Sequence, residues 1–136
     1  MIDRPVTLPL PLNKLVTRAL NLCELMLPLN DVLYPFAAIF DDGRIGCVFS
    51  DESLERKTES QLIEQLQWRV IDATTDRLSY SVIVYAATIN TQDSKKINAI
   101  AVATSTPDQE ERLLLYPYYR VDDKVVISPP IDAISR

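Results

Sequence analysis

Two stretches of the chain repeat apolar side chains at the three- and four-residue spacing of an α-helix. The first runs from about residue 13 to 27, and Asn13 can cap its start. The second runs from about residue 58 to 74, where Thr58 with Gln61 three residues later is typical of a capping box. Both patterns predict amphipathic helices that cover a core.

Apolar runs rich in Val, Ile and aromatic residues predict β-strands elsewhere. These strands are expected at about residues 36–40, 44–50, 78–90, 96–106 and 112–120, with a further short one at 125–128. Pro117 interrupts the fifth strand, which predicts an edge or a bulge at that point. Alanines at positions 99, 101 and 103 share one face of the fourth strand, over which a helix could pack closely.

The order α-β-β-α-β-β-β predicts an α+β fold. We expect one antiparallel sheet of about five strands, with both helices packed on one face. Residues 1–12 hold three prolines among apolar residues and are expected to form an extended arm. Residues 13–136 have the length of one ordinary domain and are expected to form a single α+β domain.

Missing residue types exclude many activities. The chain has no histidine, which removes Ser-His-Asp and Cys-His catalysis and nearly every zinc site. It has two glycines, Gly43 and Gly46, so it lacks the glycine-rich loops that cradle phosphates. We therefore predict no catalytic residue, no metal site and no cofactor, and a protein that is not an enzyme.

Charge and hydropathy also limit the kinds of partner that the chain can bind. The net charge of −5 and the pI of about 4.7 argue against a nucleic-acid surface, which usually carries a basic face. No apolar run approaches the roughly 20 residues that span a bilayer, and no signal peptide is visible. Cys23 and Cys47 fit buried thiols of a reducing compartment. The expected location is the cytoplasm, without membrane contact.

The acidic pair Asp41-Asp42 allows two interpretations. It could hold a divalent cation, but the apolar residues that follow Arg44 offer no further side-chain oxygen for a calcium loop. Asp-Gly between two apolar strands is, in contrast, one of the strongest hairpin signals. The turn is the favoured interpretation, and Asp122-Asp123 is interpreted in the same way.

Two aromatic clusters are the candidates for an interaction surface, because Tyr, Trp and Arg dominate interaction hot spots. The alternative is that alternate tyrosines pack on the sheet while the others are ordinary strand residues. The candidate residues are Tyr116, Tyr118, Tyr119, Arg120, Trp68 and Arg69.

Three segments, "YPFAAIFDDGRIG" (34–46), "IVYAATIN" (83–90) and "LLLYPYYR" (113–120), resemble a family of small bacterial α+β proteins without an assigned function. Members similarly place a "PFAA…DxxG" hairpin after a leading helix and a "YxxxI" strand later. These motifs are structural and imply no catalytic residues. The element order is also similar to the roadblock/profilin-like scaffold, which implies dimerising adaptors, although this chain lacks the final helix of those domains.

These patterns favour a non-catalytic protein–protein interaction domain, expected to be a homodimer or an adaptor that binds another protein through its sheet. A small acidic inhibitor or immunity-type protein that binds a toxin is the alternative. A small-ligand binder or an enzyme with a pocket between helices and sheet is the third hypothesis.

Overall fold

The structure, a computed structural model, describes residues 8–29, 33–41, 43–49, 58–73, 79–90, 93, 95–107 and 111–132. Most of the predicted arm, residues 1–7, lies outside this part of the chain. The described residues form two helices and seven strands. In chain order these are α1 (Leu10–Met26), β1 (Phe36–Asp41), β2 (Arg44–Phe49), α2 (Glu59–Ala73), β3 (Tyr80–Asn90), β4 (Lys96–Ser105), β5 (Glu111–Val121), β6 (Lys124–Ile127) and β7 (Ile131–Asp132).

The strands form one antiparallel sheet in the order β2-β1-β3-β4-β5-β6, and β7 pairs with β5. The prediction of an α+β fold with an antiparallel sheet is confirmed. The predicted number of about five strands is close to the six of the main path. The two-residue strand β7 was not predicted, because two prolines precede it and hide its pattern.

The helix α1 begins at Leu10, three residues earlier than predicted, so the last residues of the predicted arm are helical. Pro9 is its N-cap and Pro11 lies in its first turn, where a missing N–H is tolerated. Asn13 is therefore not the cap. Its backbone N–H instead donates to the carbonyl of Pro9 at 2.8 Å.

The capping box of α2 is confirmed. The backbone N–H of Gln61 donates to Thr58 Oγ1 at 3.2 Å, and the N–H of Thr58 donates to Gln61 Oε1 at 2.9 Å. Two of the backbone donors left over at a helix start are thereby satisfied.

The expectation that both helices pack on one face is wrong. The helix α1 packs on the face of the sheet that carries Phe36, Ala38 and Val84. The helix α2 packs on the other face, where Leu66 and Val70 contact Ala37 and Ile39. Successive residues of β1 point to opposite faces, so this short strand supplies both cores.

Tight turns join the strands of two hairpins. Gly43 has a φ of 76° in the turn between β1 and β2, a conformation that glycine adopts without strain. Asp122 has a φ of 56° between β5 and β6, which Asp tolerates better than most residues. The interpretation of both acidic pairs as turns agrees with these positions. The side chains of Asp41 and Asp42 lie outside the described part of the structure.

Pro117 does not make β5 an edge strand, because it pairs with Ala99 of β4. Its carbonyl accepts a hydrogen bond from the N–H of Ser128 at 2.7 Å, so its own nitrogen faces the same side. Ser128 is the first residue of the segment 128–130 that separates β6 from β7. The predicted irregularity thus exists, but it lies in the neighbouring strand, where a missing N–H does not interrupt the central ladder.

Candidate interaction surface

Side chains along β5 point alternately to the two faces of the sheet, and this places the three predicted tyrosines on different faces. Tyr116 and Tyr118 are 6% and 9% exposed and belong to the core beneath α1, whereas Tyr119 on the other face is 49% exposed. Burial raises the pKa of Tyr116 to about 12, although the nearby Arg112 partly opposes this. Two of the three tyrosines therefore hold the core together, and of these three only Tyr119 offers an exposed ring.

Both predicted arginines donate to backbone carbonyls. Arg120 Nη1 donates to the carbonyl of Leu27 at 2.8 Å, which ties the end of α1 to β5. Arg69 Nη1 donates to the carbonyl of Phe49 at 2.9 Å and ties α2 to β2. Trp68, 61% exposed, follows the buried Leu66 by two positions on α2 and therefore points away from the sheet.

The core beneath α2 is small. It comprises Leu66 and Val70 of the helix with Ala37 and Ile39 of β1, flanked by Val48 and Ile83. Among the described residues it includes none from β4, β5 or β6. Neither helix core includes the β4 alanines, although Ala99 and Ala101 are 1% and 0% exposed, so the expected packing of a helix over them is not seen in the described residues.

The remainder of this face carries apolar side chains, and we call it the open face. Leu115 lies opposite Ile131, and Tyr119 lies opposite Val126, so these residues share one side of the sheet. Four of these side chains are about half exposed: Tyr119 (49%), Val121 (53%), Val126 (52%) and Ile131 (48%). The open face is defined by Tyr85, Leu113, Leu115, Tyr119, Val121, Val126 and Ile131.

The part of the opposite face that lies beyond the α1 core has a different character. It carries Thr88 opposite Asn98 and Asn90 opposite Lys96, and all four are exposed. The first face also carries exposed apolar side chains, because Ile45 and Phe49 of β2 lie opposite Phe40 and Phe36 and are 39% and 52% exposed.

A groove of about 530 Å³ separates α2 from the open face. Apolar side chains of Ile71, Tyr85 and Leu113 line it together with the polar Gln67, and Glu111 lies at the beginning of β5. The groove and the exposed residues Tyr119 and Val121 therefore lie towards opposite ends of the same strand.

The described residues offer little reactive chemistry. Burial, reinforced by Glu24, raises the pKa of the Cys23 thiol to about 12, which keeps it protonated and unreactive. Cys47 is a half-buried free thiol on β2. In the described part of the chain, no three His, Cys, Asp or Glu side chains are grouped so that they could hold a metal ion. None of the described helices is both long and apolar enough to cross a membrane.

The sequence did not indicate Val121, Val126 and Ile131 as surface residues, because Val126 and Ile131 lie in very short strands and Val121 is the last residue of β5. The signal that could have found them is the pairing across the second hairpin. Once Asp122-Asp123 is fixed as a turn, Tyr119 and Val126 must share a face.

Comparison of the chain with known protein families, with curated proteins and with solved structures finds no match. The resemblance to a bacterial family therefore stays a prediction.

Proposed function

We propose that the chain is a non-catalytic protein–protein interaction domain that binds through the open face. The observation that carries the proposal is the row of half-exposed apolar side chains on β5, β6 and β7, on the side of the sheet opposite the α1 core. Large exposed apolar patches on a folded protein commonly mark interaction sites.

The energetics favour a protein as the partner. Burying the exposed half of a Val, Ile or Tyr side chain contributes roughly 1 kcal/mol, so Tyr119, Val121, Val126 and Ile131 together offer roughly 4 kcal/mol on one side. Half-exposed side chains spread over three strands form a broad surface rather than an enclosed cavity, which suits another protein surface better than a small molecule.

The non-catalytic part of the proposal is supported by the residue types present. Without histidine, a general base near pH 7 needs a carboxylate or lysine with a strongly shifted pKa. The thiol of Cys23 is buried and stays protonated. Apart from the adjacent Asp122 and Asp123 in one turn, the described acidic side chains lie on different elements, such as Glu24 on α1 and Glu64 on α2, and this arrangement does not favour the toxin-inhibitor alternative.

Site-specific cross-linking tests the proposal. A photoreactive side chain replaces Tyr119 on the open face or, as the matched control, Trp68 on the outer side of α2. Both positions are well exposed, at 49% and 61%, so both variants should fold. In the native host we expect discrete protein adducts from position 119 and a diffuse background from position 68. The absence of a discrete adduct from position 119, or equal adducts from both, contradicts the proposed surface.

A further inference from the structure

We infer that the groove between α2 and the sheet binds a small amphipathic amine, a molecule with a cationic nitrogen at one end of an apolar body. This site goes beyond the proposed function, because the exposed Tyr119 lies towards the other end of β5. The groove volume of about 530 Å³ falls within the range of pockets that hold small organic molecules.

Three neighbouring strands build the floor of the groove. Ile83 of β3, Ala103 of β4 and Leu113 of β5 form one cross-strand row on the face that carries α2. The helix packs over β1, so it stands as a wall beside this row. The small side chain of Ala103 leaves a depression at the centre of the floor, which an apolar group can fill.

A polar row lies at one end of the groove. Ser81 pairs with Ser105, and Ser105 pairs with Glu111, so two hydroxyls and a carboxylate lie side by side across the same three strands. All three residues line the groove, two positions along each strand from the apolar row. Hydroxyl oxygens and a carboxylate accept hydrogen bonds, and an ammonium group offers three donors together with a positive charge.

The charges of the described lining residues favour a cation. Glu111 faces the groove, whereas Arg112 points to the opposite face, where it lies near Tyr116 of the core beneath α1. The wall formed by α2 carries the uncharged Gln67 and Ile71. The described side chains that face the groove are therefore either neutral or acidic.

Two further segments adjoin the polar row in sequence, residues 74–78 before β3 and residues 108–110 between β4 and β5, and both lie outside the described part of the chain. Their charged residues are acidic on balance: Asp76, Arg77, Asp108 and Glu110. Their composition therefore agrees with a cationic ligand.

The length of the groove suits an aromatic amine. From Ser81 to Tyr85 the floor extends about 13 Å, which accommodates a two-ring body with a short amine-bearing chain. Tryptamine has these proportions and about 12 non-hydrogen atoms, so at ordinary ligand efficiency its dissociation constant should lie in the millimolar range.

An NMR titration of the isotopically labelled chain with three matched probes tests the site. Tryptamine carries an ammonium group, tryptophol a neutral hydroxyl and indole acetate a carboxylate on the same ring system. Saturable shifts are expected at the backbone amides of Ser81, Ser105 and Leu113. Because Glu111 is exposed, tryptamine should bind only about two- to fivefold more tightly than tryptophol, and indole acetate should bind more weakly than either.

Two pairs of variants separate charge from shape. Glu111→Gln should remove the preference for tryptamine and leave the affinity for tryptophol unchanged, whereas Glu64→Gln makes the same change on the outer side of α2 and should keep the preference. Ala103→Leu should weaken all three probes, because the larger side chain fills the floor. Ala87→Leu is its control, on the same face of the sheet but outside the lining of the groove.

The results that contradict the inference differ for the site and for the ligand. Groove amides that show no saturable shift up to about 10 mM overturn the site, as does equal weakening by Ala103→Leu and Ala87→Leu. Equal affinities for tryptamine and tryptophol, or a preference that survives Glu111→Gln, overturn the amine as the ligand.

Discussion

The two faces of the sheet are filled in different ways. On the first face, the stripe of α1 packs across residues from β1, β3, β4, β5 and β6 and forms the large core. On the second face, α2 covers a few residues of β1 and its neighbours, and the open face remains beside it. A single sheet therefore combines a closed core with an apolar surface that no described helix covers.

Polar and apolar side chains are distributed differently over the exposed parts of the two faces. The first face carries the polar pair Thr88 and Asn98 beyond the α1 core and the exposed apolar side chains Ile45 and Phe49 on β2. The second face carries the half-exposed apolar group around Tyr119 and Val126 on β5 and β6. Apolar residues at exposed strand positions weaken solubility without adding to the core, so a binding partner is the physical explanation that the proposed function supplies.

The largest difference between the faces should appear in core truncations. Leu15→Ala beneath α1 should lower the free energy of unfolding by about 3–5 kcal/mol, because its many neighbours cannot all move into the cavity. Leu66→Ala beneath α2 should cost about 2–3 kcal/mol, since its small core borders the groove and can relax.

Urea denaturation at one protein concentration measures both variants. Leu15 and Leu66 are both 0% exposed, so they form a matched pair in burial and residue type. An equal loss, or a larger loss for Leu66→Ala, would show that the second face is as tightly filled as the first.

At high pH, ionisation of Tyr116, which is buried under α1, should lower the free energy of unfolding by a smaller amount, on the order of 1–2 kcal/mol. Unfolded Tyr116 ionises near its ordinary pKa of 10.0, whereas burial holds the folded pKa at about 12. The stabilisation is therefore complete below pH 10 and is lost as the pH rises towards 12. Cys23 acts in the same direction from 9.0 to about 12.

Denaturation midpoints of the unaltered chain and of Tyr116→Phe between pH 8 and 12 measure this contribution. The difference between the two proteins should be constant below pH 9 and should shift in favour of Tyr116→Phe above pH 10. A constant difference over the whole range would mean that the hydroxyl of Tyr116 is not desolvated.

Local signals explain why much of the fold could be predicted. The stripe of α1, the Thr58 capping box and the Asp-Gly turn each depend on residues close together in sequence. The start of α1 was misplaced because Pro11 was interpreted as a break, whereas proline is tolerated in the first turn.

The sequence also indicates which faces of the sheet the two helices cover. The run Phe36-Ala37-Ala38-Ile39 is apolar without alternation, which indicates a strand buried on both faces. That pattern argues for helices on opposite faces. The tyrosines were grouped as one surface because they adjoin in sequence, yet strand geometry sends Tyr118 and Tyr119 to opposite sides.

The smallest expected effects concern the two arginines that connect the helices to the sheet. Arg120→Gln should lower the free energy of unfolding by about 1 kcal/mol, because its hydrogen bond to the carbonyl of Leu27 is partly buried and anchors α1. Arg69→Gln should cost less than about 0.5 kcal/mol, since its bond to the carbonyl of Phe49 is exposed and water can replace it. Urea denaturation of the two variants, which shorten the side chain equally, gives both values. A loss for Arg69→Gln as large as that for Arg120→Gln would mean that α2 is anchored as firmly as α1, and the contrast between a tightly held first face and a more lightly held second face would no longer stand.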